Sequence, residues 1–182
     1  MAEMFRTTAE RTVALGTALA LLLSACADSN QPASSERPAR RLLPASRLEL
    51  PEFGLGRFQA LLQELSGTPV VVNIWGSWCP PCRLEAPGLA TVSREFGGRI
   101  QFLGVDILDS RPAARQFILE FDWQYPSVFD PEAEIRDGLG YFGQPVTLIF
   151  DPDGRKTFEW AGPLTEEILR REIRKVLASK ES

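Results

Sequence analysis

Val70-Val71-Val72-Asn73-Ile74-Trp75-Gly76-Ser77-Trp78-Cys79-Pro80-Pro81-Cys82 is the stretch that decides how this chain folds. The run from Val70 to Trp75 is apolar nearly throughout, as a central strand covered on both faces would be. Gly76-Ser77 ends it in a turn, and the two cysteines follow in the first turn of a helix. One thiol then sits at a helix N-terminus, where the dipole and free backbone N–H groups stabilise a thiolate. Two cysteines three positions apart can close a disulfide within a single helical turn, so the pair can alternate between dithiol and disulfide while the rest of the fold stays put. The chemistry implied is two-electron thiol–disulfide exchange. A purely structural disulfide is the alternative, although so small a loop adds little chain-entropy stabilisation. A zinc site would need a second Cys or His pair, but the chain has no histidine and its only other cysteine is Cys26. A c-type haem attachment would need His after the second Cys, where Arg83 stands. Neither a metal nor a cofactor is expected.

With 182 residues, 44% of them hydrophobic and 24% charged, the chain can form one globular domain plus a tail. Its formal net charge of −4 leaves no basic stripe to neutralise phosphates, so nucleic acid is not an expected partner. The N-terminus reads as an export signal: Arg6 and Arg11, the apolar run Val13 to Leu23, then Leu23-Ser24-Ala25-Cys26. That run is too short to span a bilayer by itself. Leu23-Ser24-Ala25-Cys26 resembles the lipobox of bacterial lipoproteins, which implies that Cys26 becomes the lipidated first residue of the mature chain. Residues 1–25 are then a signal peptide, and 26–46, rich in Ser, Pro and Arg, a flexible tether. Residues 47–180 are the folded domain. The expected location is the bacterial cell envelope, at the outer face of the cytoplasmic membrane, an oxidising compartment in which another protein must keep the thiols reduced.

Within the domain the pattern predicts a short strand around Leu48 to Leu50 and a helix carrying Phe58, Leu61, Leu62 and Leu65, stopped by Gly67-Thr68-Pro69. The helix after Cys79 runs to about Phe96 and ends at Gly97-Gly98 with a left-handed glycine cap. Ile100 to Ile107 is the next strand and Pro112 to about Phe121 a helix. A short extended piece, Tyr125 to Phe129, and a short helix, Pro131 to Leu139, come next. Val146 to Phe150, the turn Asp151-Pro152-Asp153-Gly154 and Lys156 to Trp160 signal a hairpin. Thr165 can cap a last helix. The order is that of an α/β fold with a mixed sheet flanked by helices.

Three blocks resemble the thioredoxin superfamily, specifically its membrane-anchored extracytoplasmic branch of TlpA/ResA/CcmG-like thiol–disulfide oxidoreductases. They are Val71 to Arg83, Glu85-Ala86-Pro87, and Gly143-Gln144-Pro145-Val146-Thr147-Leu148-Ile149-Phe150-Asp151, and the resemblance extends over about Leu48 to Leu177. It implies a thioredoxin-like three-layer sandwich carrying the extra βα insertion of the anchored branch, here around Tyr125 to Leu139. It also implies a cis peptide at Pro145, packed beside the disulfide, with the backbone of Gln144 pairing to the substrate chain. Trp78, Pro80 and Pro81 join Gln144 and Pro145 as substrate-binding candidates. Where cytoplasmic thioredoxins keep a buried Asp, this chain has Asn73, which cannot take a proton. Glu85, one helical turn beyond Cys82, is the candidate proton acceptor for that thiol. Trp75 and Trp78 read as core aromatics or as apolar walls around the disulfide. Where anchored relatives carry an N-terminal β-hairpin, this chain has a helix.

The expected mechanism runs through a mixed disulfide, with Cys79 as nucleophile and Cys82 as resolving thiol. Its partners are protein thiols or disulfides and a membrane electron donor or acceptor. Proline after the first Cys removes an N–H that could stabilise its thiolate, which favours a reductase. Branch resemblance favours the same direction, as in cytochrome c maturation or metal-centre assembly. The alternatives are a disulfide-forming oxidase of the same fold and a copper chaperone holding Cu(I) on Cys79 and Cys82. A peroxidase fits two vicinal thiols less well.

Overall fold

Six consecutive buried residues, Val70–Trp75, form the central strand β1. The structure, a computed structural model, describes residues 41–179. The export signal, the lipobox with Cys26 and most of the expected tether lie outside the described residues. Helix α1 (Leu55–Glu64) precedes β1, and α2 (Pro80–Phe96) follows it. Then come β2 (Gln101–Ile107), α3 (Arg111–Glu120), β3 (Ser127–Asp130), α4 (Glu134–Gly138), β4 (Val146–Phe150), β5 (Lys156–Ala161) and α5 (Glu166–Ala178).

The five strands lie in the order β3-β2-β1-β4-β5. β1, β2 and β3 run parallel, whereas β4 pairs antiparallel with both β1 and β5. Parallel neighbours need a crossover, and α2 and α3 supply the two. Because side chains alternate along a strand, β1 feeds two cores. Val71 and Trp75 pack with α2, α3 and α5, while Val70, Val72 and Ile74 pack with α1 and α4. This is an α/β thioredoxin-like sandwich: helices on both faces of a mixed sheet, with the extra strand and helix in β3 and α4. Trp75 is a core residue, its ring centroid 4.5 Å from Phe117 and 5.0 Å from Trp123.

Several caps follow the sequence. Ser110 accepts from the Ala113 N–H and Thr165 from the Ile168 N–H, each at 3.4 Å, so α3 and α5 start at side chains that satisfy otherwise unpaired donors. In the β4–β5 hairpin the Asp151 carboxylate accepts from the N–H groups of Asp153 (3.0 Å) and Arg155 (2.9 Å).

Some expectations are corrected. Leu48 to Leu50 is not a strand: Leu50 turns into the left-handed region (φ 49°) and Pro51 has no N–H to extend a ladder. What remains is a single parallel bridge, Glu52 with Phe129. The end of α2 does not use a left-handed glycine, since Gly97 stays right-handed (φ −56°) and its N–H bonds Ser93 O at 2.8 Å. The third strand starts at Ser127 instead of Tyr125, behind Pro126, which cannot donate. Helix α4 starts at Glu134 because the Asp130 carboxylate gathers the N–H groups of Glu134 and Ile135 at 3.0 and 2.9 Å. Packing on the domain also begins before residue 47: Leu42 N–H donates to Glu64 Oε1 at 2.9 Å, and Leu42 and Leu43 lie half-buried against the α1 side. Among the described residues no helix is long and apolar enough to cross a membrane.

Candidate active site

The turn Gly76–Cys79 leaves β1 and delivers Cys79 to the N-cap of α2, with Pro80 and Pro81 in the first two helical positions. Its carbonyl at Gly76 accepts from the Cys79 N–H at 3.1 Å. Gly76 is required by the close approach of the Trp78 indole, since a Cβ there would stand 2.8 Å from Trp78 Nε1. The Trp78 side chain folds over this turn yet remains 49% exposed, a wall beside the cysteines and not a core aromatic.

Cys79 and Cys82 are joined as a disulfide with their Cα atoms 5.3 Å apart. Both residues are buried, so a partner must reach them along the rim of the turn. Cys79 Sγ accepts the Cys82 N–H at 3.2 Å. An N-cap normally draws on the donors of the second and third helical residues. Here the second is Pro81, which leaves a single backbone donor for a Cys79 thiolate. The Gln144–Pro145 peptide is cis, and the Gln144 carbonyl oxygen lies 3.9 Å from Cys79 Sγ. The fold thus brings the loop before β4 against the start of α2. Gln144 is held in turn by Arg136 Nη1, which donates to its Oε1 at 3.3 Å.

Glu85 faces inward from α2 and is only 4% exposed. Its Oε1 accepts from Asn73 Nδ2 at 2.8 Å and its Oε2 from the Leu164 N–H at 2.8 Å. Burial pushes its carboxyl up to about 7, against the opposing pull of the Leu164 N–H and the Asn73 amide. The carboxyl is therefore divided between acid and base forms near neutral pH. Asn73 Oδ1 has no partner, while Asn73 Nδ2 also reaches Thr147 Oγ1 at 3.2 Å. Turning this amide over would offer Oδ1 to a protonated Glu85, so the pair accommodates either protonation state. A cavity of about 360 Å³ between α2 and the segment Pro163–Glu166 includes Glu85 in its lining but neither cysteine.

Sequence reasoning did not single out three residues. Phe142, 91% exposed, stands three positions before the cis proline. Leu164 supplies its N–H to Glu85 from 79 positions away. Asp106 on β2 is fully buried beside Trp75, its partner in register. A lone carboxylate inside the apolar run Phe102 to Ile107 was the one available signal for it. Cys26 lies outside the described residues.

Comparison with known proteins points the same way. Residues 45–155 match the AhpC/TSA family. The chain is 31% identical over 136 residues to the thiol:disulfide interchange protein DsbE of Allochromatium vinosum, covering 74% of each chain. It is 28% identical to the thiol-disulfide oxidoreductase ResA of Bacillus subtilis over 59% of this chain and 61% of that one. Among solved structures, a DsbF homologue from Corynebacterium diphtheriae superposes with a TM-score of 0.58 at 29% identity, covering 63% of this chain and 75% of that one.

Proposed function

Because the chain belongs to the AhpC/TSA family and is a thioredoxin-fold thiol–disulfide oxidoreductase, we propose that it works as an extracytoplasmic reductase of protein disulfides, with Cys79 as nucleophile, Cys82 as resolving thiol and Glu85 as proton acceptor. The observation that carries this reading is the placement of Cys79 at the N-cap of α2, against the cis Gln144–Pro145 peptide, with the buried Glu85 one turn beyond Cys82.

In the reducing direction the Cys79 thiolate attacks one sulfur of a substrate disulfide, forming a mixed disulfide and releasing one substrate thiolate. Glu85 takes the proton of Cys82, whose thiolate then attacks Cys79 Sγ. The Cys79–Cys82 bond closes, the second substrate thiolate leaves, and two electrons have passed to the substrate. Glu85 returns its proton to solvent, and a membrane electron donor restores the dithiol. Trp78, Pro80, Pro81, Gln144 and Pro145 form the face that meets the substrate chain. Gln144 offers its backbone for pairing, and Trp78 excludes water from the exchanging sulfurs. The substrates are envelope proteins whose cysteines must be reduced before cytochrome c maturation or metal-centre assembly.

The lone backbone donor at Cys79 supports a reductase, because a thiolate with little stabilisation leaves the disulfide form favoured. The reduction potential of the soluble domain, measured beside its activity on one oxidised and one reduced peptide, tests the direction. Proteins of this fold span roughly −270 to −120 mV, and the expected value lies near the reducing end. A value near the oxidising end, with efficient disulfide insertion into the reduced peptide, would overturn the reductase reading in favour of an oxidase.

Anchoring is proposed through a lipid on Cys26, behind a cleaved signal peptide of residues 1–25. Replacing Cys26 by Ser is expected to release or misprocess the protein. Mass spectrometry of the mature N-terminus decides it, and an unmodified Cys26 within an intact leader would sink the lipoprotein reading.

A further inference from the structure

The turn that carries Cys79 is tied to the rest of the fold at Ser77, two residues before the thiol. Both backbone groups of Ser77 are engaged, each by a side chain from outside the turn. Its N–H donates to Asp109 Oδ2 at 2.6 Å, across 32 positions of chain. Its carbonyl accepts from Arg83 Nη1 at 3.4 Å. Within the turn the bond from the Cys79 N–H to Gly76 O, at 3.1 Å, adds only a local closure.

Both arms end on one helix. Asp109 stands directly before Ser110, the N-cap of α3, and its Oδ1 accepts the Ser110 N–H at 2.7 Å. Arg83 forks: while Nη1 meets Ser77, Nη2 pairs with Glu120, the last residue of α3. Its guanidinium also lies 5.0 Å from the centre of the Phe121 ring and 5.5 Å from that of Phe117. Helix α3 is a firm reference, because Ala114, Phe117 and Ile118 are buried and Phe117 stacks at 4.5 Å on Trp75, the last residue of β1. Backbone strain marks the same place. Leu108, at φ 50°, turns the chain out of β2 immediately before Asp109. That conformation is costly for a residue with a Cβ and persists where the surroundings over-determine it.

We propose that Asp109 and Arg83 are positioning residues for disulfide exchange: they clip Ser77 to the two ends of α3 and so hold the Cys79 turn beside the Gln144–Pro145 peptide when the Cys79–Cys82 bond is open. In the disulfide form the bond to Cys82 pins the turn as well. Reduction removes that constraint, and the attacking dithiol keeps the clip and the local closure of the turn. Attack on a protein disulfide needs Cys79 Sγ aligned with a sulfur held by an extended substrate chain, and a small misplacement is costly in rate. A small electrophile brings its own alignment and does not need the clip. The inference rests on Cys79 being the exchanging thiol.

The test uses the reduced full chain and two variants. Asp109→Ala removes the arm at the Ser77 N–H. Arg83→Lys keeps the positive charge but loses the fork that joins Ser77 to Glu120, and it serves where Asp109→Ala does not fold. Three rates are read at one pH: amide hydrogen exchange of Ser77, alkylation of Cys79 by iodoacetamide, and mixed-disulfide formation with an oxidised peptide. The ratio of peptide attack to alkylation is expected to fall about tenfold in Asp109→Ala, the scale on which loss of a hydrogen bond to a charged group is felt. Ser77 protection should fall with it, and more in the dithiol than in the disulfide. Arg83→Lys should move the same ratio in the same direction by a smaller factor, since its bond to Ser77 is the longer one. An unchanged ratio, whether both rates fall together or neither falls, would overturn the proposal, as would a lower ratio with Ser77 protection intact. Iodoacetamide labelling Cys82 in place of Cys79 would refute the assignment of the nucleophile instead. Ser77 exchange is read without any thiol reaction, so the two failures appear in separate measurements.

Discussion

In a Cys82→Ser variant, mixed disulfides should accumulate on Cys79 and turnover should fall by about 10³-fold or more, the scale on which loss of a member of a concerted catalytic unit is felt. The two sulfurs occupy unlike positions. Cys79 is the helix N-cap, receives the Cys82 N–H and lies beside the Gln144 carbonyl, while Cys82 is inside the first helical turn above Glu85. On the proposed route along Trp78 and the Gln144–Pro145 loop, a substrate sulfur is expected to meet Cys79 first. Without Cys82 the mixed disulfide has no internal nucleophile to resolve it and persists until an external thiol arrives. Mass spectrometry of trapped adducts reads the result. Equal trapping by Cys79→Ser, with none by Cys82→Ser, would reverse the order of attack.

Glu85→Gln is expected to slow resolution on the order of 10²-fold, at the lower end of general base contributions, while leaving mixed-disulfide formation at Cys79 unchanged. Only the deprotonated carboxyl accepts the Cys82 proton, so the resolution rate in the unaltered protein should climb as pH rises through about 7 and then level off. The Gln variant should lose that step and follow the thiol alone. A stability measurement supplies an independent check. The folded-state value of about 7 lies above the ordinary 4.5 of a glutamate, so the native chain holds a proton that the unfolded chain releases between those limits. The associated stability is present below the unfolded value and is lost as pH rises through the folded one, with a slope approaching about 1.4 kcal/mol per pH unit within the window. Denaturation of the Gln variant should lack this slope. An unchanged pH profile for resolution, with the slope also retained, would return Glu85 to an ordinary structural role.

Local signals carried much of the architecture. An unbroken apolar run bounded by Gly76-Ser77 is enough for a buried strand, and Pro80-Pro81 directly behind a cysteine is enough for a helix start, because both are properties of neighbouring residues. The same holds for Thr165 as a cap and for the hairpin turn at Asp151 to Gly154. On these grounds the α/β order, the position of the cysteine pair and its redox chemistry were legible without coordinates. Burial of Glu85 was not, because it depends on the Leu164 N–H and on Asn73 closing around a helix position that reads as solvent-compatible by itself. Leu48 to Leu50 failed as a strand for a related reason. An apolar triplet sets no pairing, and the left-handed turn at Leu50 leaves only the bridge from Glu52 to Phe129. Asp106 is the clearest division between the two levels. Its residue type is visible in the chain, but the cost of its charge is set first by its burial and then by the charged groups that α3, β3 and the following loop bring around it. Helices and strands follow from short-range sterics and periodicity, whereas the protonation of a buried group follows from the distances and donors that only tertiary packing creates.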